Sequence, residues 1–211
     1  MHIDETIKTY LDALAAKTSA PGGGSAAALA GAMGCALISM TLQFTIGKAA
    51  HADFEKSAQE LLAKSEALRG RFVKFFDEDI SGYENVMSAH RLPATGEADK
   101  IKRSRAIQEA FREATLVPLH ICQSALEALK LCPELAEKAN ANLICDTQAA
   151  VYQLEAAFNC AKTNISMNQK SIVDQEFNKD IVSQMNALEK ELNRCVEATG
   201  KNIQKVTGLK S

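Results

Sequence analysis

The sequence has few of the features that other fold classes need. It has no Trp, only 5% of its residues are aromatic, and no segment alternates apolar and polar residues as a half-buried strand does. It has instead 34 alanines among 211 residues, and Ala has the highest intrinsic helix propensity. Composition and length predict an all-α fold with one domain over residues 1–211, a bundle of long helices around a buried small-residue helix.

The sequence also lacks a charge excess and a targeting signal. Its 24 basic and 26 acidic residues give a net charge of -2. Because this charge gives no general attraction to polyanions, we expect neither nucleic acid nor a membrane as a partner. The chain does not begin with a charged segment, an apolar core and a small-residue cleavage site. A cytoplasmic location is therefore expected.

Cys, His and Ser are present without the spacing that metal binding or covalent catalysis needs. None of the six Cys forms a C-x-x-C pair, and the four His form no H-E-x-x-H motif. We therefore expect reduced, buried thiols in a reducing compartment and no metal. There is no G-x-S-x-G motif, so covalent catalysis by a serine has no support.

Charge is absent from the 21 residues between Ala26 and Ile46, which is the length of a membrane span. Ala, Gly, Ser and Thr dominate this segment, and such residues insert weakly into membranes. Small residues recur every fourth position, at Ala27, Gly31, Cys35 and Ser39, and small residues let a second helix approach closely. We interpret the segment as a buried central helix, with a membrane span as the weaker alternative.

Helical spacing of apolar residues places the other elements. A first short helix with a stripe of Ile3, Ile7, Leu11 and Leu14 ends near Lys17. Longer helices are predicted over 54–89, over 99–131 with Pro118 inside, over 143–170, and from about Asp174 onward. Asn142 is predicted to be the N-cap of the helix over 143–170.

The residues before the central helix form a Gly-rich turn, Pro21-Gly22-Gly23-Gly24-Ser25. A helix N-terminus has free N–H groups and a positive dipole end, which favour a carboxylate or phosphate. No Lys follows the last Gly and no strand precedes the turn, so it is not a P-loop. Three glycines in a row indicate close approach of a ligand or of another helix. If Gly23 has a positive φ or contacts the ligand, Gly23→Val should reduce ligand binding by far more than it reduces stability.

Asp79 interrupts an apolar stripe. Steps of three or four residues from it reach Phe72, Phe76 and Tyr83, so its carboxylate lies on the same helix face as these rings. A buried carboxylate is unfavourable unless it is paired. From the pattern alone, a structural salt bridge or hydrogen-bonded Asp is the leading interpretation, and a catalytic carboxyl is the alternative.

A third polar group consists of Asn142, Asp146, Asn164 and Asn168. Asp146 and Asn164 are 18 residues apart, about 27 Å along one helix, so the four side chains cannot form one compact site within a chain. They serve two ends of a long ligand, or two sites, or are brought together by a second chain. Buried Asn and Asp also cap and crosslink helices.

Several segments resemble one family in order along the chain. They are SAPGGGSAAAL at 19–29, GAMG at 31–34, FTIGK at 44–48, DISGY at 79–83, RLP at 91–93, EATLVPL at 113–119 and NAN at 140–142, followed by Asp146, Asn164 and Asn168. This pattern is similar to that of the cyclodeaminase/cyclohydrolase family of folate enzymes, which includes formiminotetrahydrofolate cyclodeaminases and methenyltetrahydrofolate cyclohydrolases.

The resemblance implies an all-helical homodimer that acts on tetrahydrofolate derivatives, including polyglutamylated forms, at the N5/N10 one-carbon bridge. It implies no cofactor beyond the tetrahydrofolate substrate, and it makes a formiminotransferase a candidate protein partner. Under this resemblance Asp79 is the first acid/base candidate and Asp146 the second. The Gly-rich turn and Lys48 are predicted to hold the glutamate tail. The other substrate-binding candidates are Tyr83, Asn142, Asn164 and Asn168.

The chain departs from the family pattern at three places. The family usually has Lys where this chain has Ala94, a Lys/Tyr-rich stretch at 49–51, and Ser-Asp-Ala where this chain has Cys145-Asp146-Thr147. A non-catalytic helical folate-binding or scaffold protein is therefore the alternative function, because a fold can be kept when its activity is lost.

Overall fold

The computed structural model describes residues 4–208, and within this range it contains helices and no strand. The predicted all-α class is confirmed. In chain order the helices are α1 (Ile7–Ala15), α2 (Gly23–Gln43), α3 (Glu55–His90), α4 (Glu97–Leu129), α5 (Cys132–Lys138), α6 (Ile144–Gln169) and α7 (Gln175–Thr207). Short 3-10 turns at Ala49–Phe54 and Ala141–Leu143 precede α3 and α6.

The helix ends follow local capping rules with one correction. The Asp174 carboxylate accepts hydrogen bonds from the backbone N–H groups of Glu176 and Phe177 at the start of α7. Asn142 does not cap α6, whose N-cap is Leu143 without a side-chain hydrogen bond. The capping residue is Asn140, whose side chain accepts from the backbone N–H of Asn142 at the start of the preceding 3-10 turn. The predicted cap was wrong because a 3-10 turn, Ala141–Leu143, lies between the capping residue Asn140 and α6.

Helix α2 packs against both α3 and α6. Its glycines allow the close approach: a Cβ on Gly31 would overlap the ring of Phe72 from α3, and a Cβ on Gly34 would collide with Leu154 from α6. By length and composition α2 could cross a membrane, and 61% of its most apolar window is buried inside the chain. Such contacts on two sides are those of a helix packed in a protein interior.

Helix α1 lies at the edge of the bundle, and the apolar stripe that was predicted for it is largely exposed. Ile7 and Leu11 are 76% and 53% exposed, Leu14 is partly buried, and Ile3 lies outside the described residues. The buried residue is Tyr10, whose ring is 5.0 Å from that of Phe76. The periodicity identified residues that share a face, but within residues 4–208 no neighbouring helix covers Ile7 and Leu11.

The cysteines are reduced, and four of the six are buried as predicted. Burial raises the pKa of the Cys35 and Cys122 thiols to about 12. Cys145 and Cys160 are exposed and correct the prediction for these two thiols, because both lie on the outward side of α6.

Candidate functional site

A cavity of about 430 Å³ opens where the N-terminus of α2 meets three other helices. The Gly-rich turn forms one wall, and the C-terminal half of α3 forms the second. The middle of α4 and the last turns of α6 close the rest. Residues from these walls include Gly23, Asp79, Tyr83, Phe111 and Asn164. Most of the lining is apolar or uncharged, and the few polar groups converge from different elements.

Asp79 is the carboxylate in this cavity. It is partly buried, and the backbone N–H of Ser25 in the first turn of α2 donates a hydrogen bond to it. Burial raises the pKa of the Asp79 carboxyl, and the Ser25 hydrogen bond opposes that rise without cancelling it. Among the described residues that line the cavity none is Lys or Arg, so Asp79 has no cationic partner there.

Gly24 is the glycine that the site requires. A Cβ on Gly24 would overlap the Asp79 carboxyl group, so only bare backbone lets the carboxylate reach the helix N-terminus. Gly23 does not have a positive φ, which among the described glycines occurs only at Gly47 and Gly208. Gly23 does line the cavity, with ordinary van der Waals room toward Asn164.

Ser25 holds the turn in shape. Its hydroxyl donates to the carbonyl of Gly22 (2.9 Å) and accepts from the backbone N–H of the same residue (3.3 Å). The Tyr10 hydroxyl lies 3.3 Å from the Ser25 hydroxyl and links α1 to this network. Pro21 is part of the turn but does not line the cavity. Hydrogen bonds within the turn and the contact with Tyr10 of α1 therefore hold the turn in place.

The two late asparagines also belong to this cavity. The Asn168 side-chain amide donates to the backbone carbonyl of Ala114 on α4 (3.1 Å), which fixes its orientation. Asn164 faces Gly23 across the cavity, where a Cβ on the glycine would lie 3.8 Å from its amide nitrogen. The structure therefore brings together the Gly-rich turn, Asp79, Tyr83, Asn164 and Asn168 from the predicted set.

Lys48, Asn142 and Asp146 lie at the opposite end of α2. Helix α2 has 21 residues and is about 30 Å long, and Lys48 follows its C-terminus. The backbone N–H of Asn140 donates to the Thr45 hydroxyl (3.0 Å), which places the start of α6 at that same end. Within one chain, the Gly-rich turn and Lys48 therefore cannot hold the same group of a ligand.

His90 and Phe111 line the cavity and were not predicted. Their rings are 6.0 Å apart in an edge-to-face arrangement at the end of α3. His90 continues the face of Asp79 and Tyr83 by two further turns of α3, so extending the same helical steps would have identified it. Phe111 gave no such signal, because its position depends on how α4 packs against α3.

The arrangement combines a carboxyl of raised pKa with oriented amides and apolar walls. A carboxylate without a cationic partner attracts a ligand that carries positive charge, and a carboxyl of raised pKa exchanges protons nearer to neutral pH. Amide groups can orient a water molecule or a planar heterocycle. Such a site suits proton transfer at a carbon or nitrogen that becomes cationic.

The chain is similar to proteins of known activity. The formiminotransferase-cyclodeaminase family pattern matches residues 6–187. Methenyltetrahydrofolate cyclohydrolase from Methylorubrum extorquens is 38% identical over 185 residues, which are 88% of this chain and 89% of that protein. Formimidoyltransferase-cyclodeaminase from Rattus norvegicus is 29% identical over 175 residues, and this chain spans 32% of its length. The crystal structure of formiminotetrahydrofolate cyclodeaminase from Thermotoga maritima superposes with a TM-score of 0.88 at 27% identity, covering 98% of this chain and 99% of that one.

Proposed function

The chain belongs to the formiminotransferase-cyclodeaminase family, and from this premise we propose that it is an enzyme of folate one-carbon metabolism. It acts on C–N bonds at the N5/N10 bridge of tetrahydrofolate, as a methenyltetrahydrofolate cyclohydrolase, a formiminotetrahydrofolate cyclodeaminase, or both. The observation that carries the proposal is Asp79, an unpaired carboxylate at the helix N-terminus inside a cavity of mainly uncharged residues.

In the cyclohydrolase reaction, water adds to the cationic amidinium carbon of 5,10-methenyltetrahydrofolate. The Asp79 carboxylate stabilises this cation electrostatically and accepts the proton that the attacking water loses. The tetrahedral carbon then loses its bond to N5, and the protonated Asp79 returns a proton to that nitrogen. The hydroxyl of the adduct becomes the formyl carbonyl and releases its proton to solvent, so that the positive charge of the substrate leaves as H+. The product is 10-formyltetrahydrofolate, and Asp79 is regenerated.

In the cyclodeaminase reaction, N10 attacks the formimino carbon that is carried on N5. N10 loses its proton, the former imino nitrogen gains protons, and ammonia leaves as the 5,10-methenyl cation forms. Asp79 supplies a proton to the leaving nitrogen, and Asn164 and Asn168 orient the pterin amide or the water molecule. Both reactions therefore pass through a tetrahedral carbon beside the same carboxyl group.

Both reactions leave the oxidation state of the one-carbon unit unchanged. We therefore propose that no group beyond the tetrahydrofolate substrate is needed. We also propose a cytoplasmic location, on the separate ground of the free cysteines. If formiminotetrahydrofolate is the substrate, a formimidoyltransferase must produce it, and such an enzyme is the proposed partner.

Two assays on the purified chain test the function. Loss of the absorbance of 5,10-methenyltetrahydrofolate reports the cyclohydrolase reaction, and ammonia release from 5-formiminotetrahydrofolate reports the cyclodeaminase reaction. The cyclohydrolase assay should be performed first, because this chain matches a cyclohydrolase over 89% of that protein's length. Folate binding without turnover in either assay would contradict the enzyme proposal and favour the non-catalytic alternative.

We also propose that the protein is a homodimer in which α2 is a central helix. The outward side of α2 has no charge and includes Met33, which is 43% exposed in one chain, and Phe44, the residue directly after α2, is 56% exposed. Tyr152 on the neighbouring α6 is exposed as well. A second copy of the same uncharged surface would cover these side chains, as a two-fold interface does.

Such a dimer would complete the site. A two-fold axis that crosses α2 near its middle makes the two α2 helices antiparallel, so the C-terminal end of one lies beside the N-terminal end of the other. The partner subunit's Asp146 would then approach Asp79 and the Gly-rich turn. We propose that this second carboxyl assists proton transfer across the interface.

A further inference from the structure

A groove of about 250 Å³ lies next to the outer end of the cavity. It is lined by Ala94, Lys100, Arg103, Ser104, Ile107 and Gln108. Ala94 is four residues beyond His90, and Ile107 is one helical turn before Phe111, and both His90 and Phe111 line the cavity. The groove and the cavity are therefore neighbours along α4 and the connection between α3 and α4.

The groove is basic. Two of its six lining residues are cations, and none is a carboxylate. Arg103 is partly buried, makes no ion pair with a described residue, and its Nε is buried without a hydrogen-bond partner. Lys100 is 3.6 Å from Glu97, and both side chains of this pair are well exposed. Asp99, one helical turn before Arg103, accepts a hydrogen bond from the Thr95 hydroxyl.

Gln108 forms a fixed wall of the groove. Its amide nitrogen donates to the carbonyl of Ser171, and its amide oxygen accepts from the backbone N–H of Val173, each at 2.9 Å. Both polar atoms thereby bind the connection between α6 and α7. The groups of the groove that can bind a ligand are therefore Arg103, which makes no ion pair with a described residue, the hydroxyl of Ser104, and Lys100 once it leaves its exposed pair with Glu97.

The two ends of this combined site have opposite charge. Asp79 and His90 are eleven residues apart on α3, which is about 16 Å along the helix. A ligand that carries a cationic centre and carboxylates would have its carboxylates repelled by Asp79 and attracted by Arg103. The charges therefore define one orientation for an elongated ligand.

We propose that Arg103, Lys100 and Ser104 form a carboxylate-binding subsite that holds the glutamate tail of the folate substrate. The assignment rests on the proposed function for the identity of the ligand. It places the tail beyond His90 and not at Lys48 with the Gly-rich turn, the arrangement predicted from the sequence. The guanidinium of Arg103 can bind one carboxylate through two hydrogen bonds, and Lys100 contributes a second charge for a longer tail.

The test compares Arg103→Gln with Arg105→Gln, an exposed Arg on the same helix that does not line the groove. We expect Arg103→Gln to raise KM for tetraglutamylated 5,10-methenyltetrahydrofolate by about tenfold, with kcat little changed, because one charge-assisted contact is lost. The monoglutamate should be affected less, and Arg103→Lys should restore part of the loss. If Arg103→Gln and the wild-type protein have the same KM for the tetraglutamate and the same KM for the monoglutamate, the proposal is wrong.

A binding measurement separates this proposal from the proposed function. A free γ-linked tetraglutamate peptide should shift the NMR signals of α4 in the wild-type protein and not in Arg103→Gln, at low salt. If neither folate is turned over but this Arg103-dependent binding is seen, the subsite stands and the proposed reaction is wrong. If folate is turned over but the peptide does not bind and Arg103→Gln leaves KM unchanged, the subsite is wrong and the reaction stands.

Discussion

At the scale of single residues, Asp79 is a carboxyl whose surroundings oppose its ionisation. Burial raises its pKa, and the Ser25 N–H and the positive end of α2 are the groups that favour its charged form. In the proposed reactions the missing cation is the substrate itself. The free enzyme therefore contains an unfavourable charge that binding of a cationic folate relieves.

Asp79→Asn should separate activity from stability. The substitution keeps the size and a hydrogen-bond acceptor for the Ser25 N–H but removes proton exchange and charge, so turnover should fall about a hundred- to ten-thousandfold. Thermal stability at pH 7 should stay equal or rise, because a buried unpaired charge is removed. Turnover and thermal melting on the same preparation measure both effects. Glu78→Gln, an exposed neighbour, is the matched control.

The pH dependence gives the sign of the stability effect. Below about pH 3.9 Asp79 is protonated in both the folded and unfolded states. Above that pH the unfolded chain loses the proton first, because the folded pKa is raised, so the free energy of unfolding contributed by Asp79 falls as pH rises through this window. The stability gain of Asp79→Asn should therefore vanish in acid.

Near-normal turnover by Asp79→Asn would contradict the catalytic role of Asp79 and make Asp146 the first candidate.

At the scale of elements, the packing of α2 against α3 creates the site. Gly24 lets the first turn of α2 touch the Asp79 carboxyl, and Gly31 lets the middle of α2 lie against Phe72. These two glycines face the same helix, so they set the distance and the direction of approach together. The position of the helix N-terminus relative to Asp79 therefore depends on contacts along the length of α2.

Gly24→Ala and Gly23→Ala test this packing as a pair. Both place one methyl group in the first turn of a helix, and Ala has the higher helix propensity in either position. The Gly24 methyl would displace the Asp79 carboxyl, so turnover should fall by about a hundredfold or more, whereas Gly23→Ala has room and should stay within about threefold. Turnover, with helical circular dichroism to verify folding, provides the comparison. Equal losses in the two variants would contradict the role of Gly24.

The sequence predicted these elements unequally. Periodicity placed α3 and the start of α7 to within about a residue, because both have long amphipathic patterns and α7 has an Asp cap. It placed Asp79 on the correct face for the same reason. It failed for Ile7 and Leu11 of α1, and it placed Phe111 on the apolar side of α4 without indicating that Phe111 lines the cavity. A pattern within one helix does not reveal which neighbour covers it. The need for glycine at position 24 and not 23 became visible only with the Asp79 side chain in place.

At the scale of the whole molecule, the proposed dimer unites the two polar ends of α2. Asp79 with its asparagines lies at one end, and Asp146 with Lys48 lies at the other, about 30 Å away in the same chain. A second copy of the chain, packed against the first, would bring the groups from the two ends of α2 together in one site. The quaternary structure is thus part of the catalytic proposal.

Mixing two inactive variants tests the shared site. The wild-type protein should have a light-scattering mass of twice 22.8 kDa. Asp79→Asn and Asp146→Asn should each lose activity, and an equal mixture after subunit exchange should recover about one quarter of wild-type turnover, because half of the dimers are mixed and each has one intact site. A monomer that is fully active, or a mixture no more active than the mean of the two variants, would contradict this arrangement.

The burial of α2 also has a consequence for synthesis of the chain. Helix α3 follows α2 directly, but about 100 residues separate the end of α2 from the start of α6, its other packing partner. At translation rates of about 5 to 20 residues per second, α2 waits roughly 5 to 20 seconds before α6 emerges from the ribosome. During that interval the face of this uncharged 21-residue helix that packs against α6 is open to other nascent chains. Only the helices synthesised before α6, first α3 and then α4 and α5, contact α2 in the meantime.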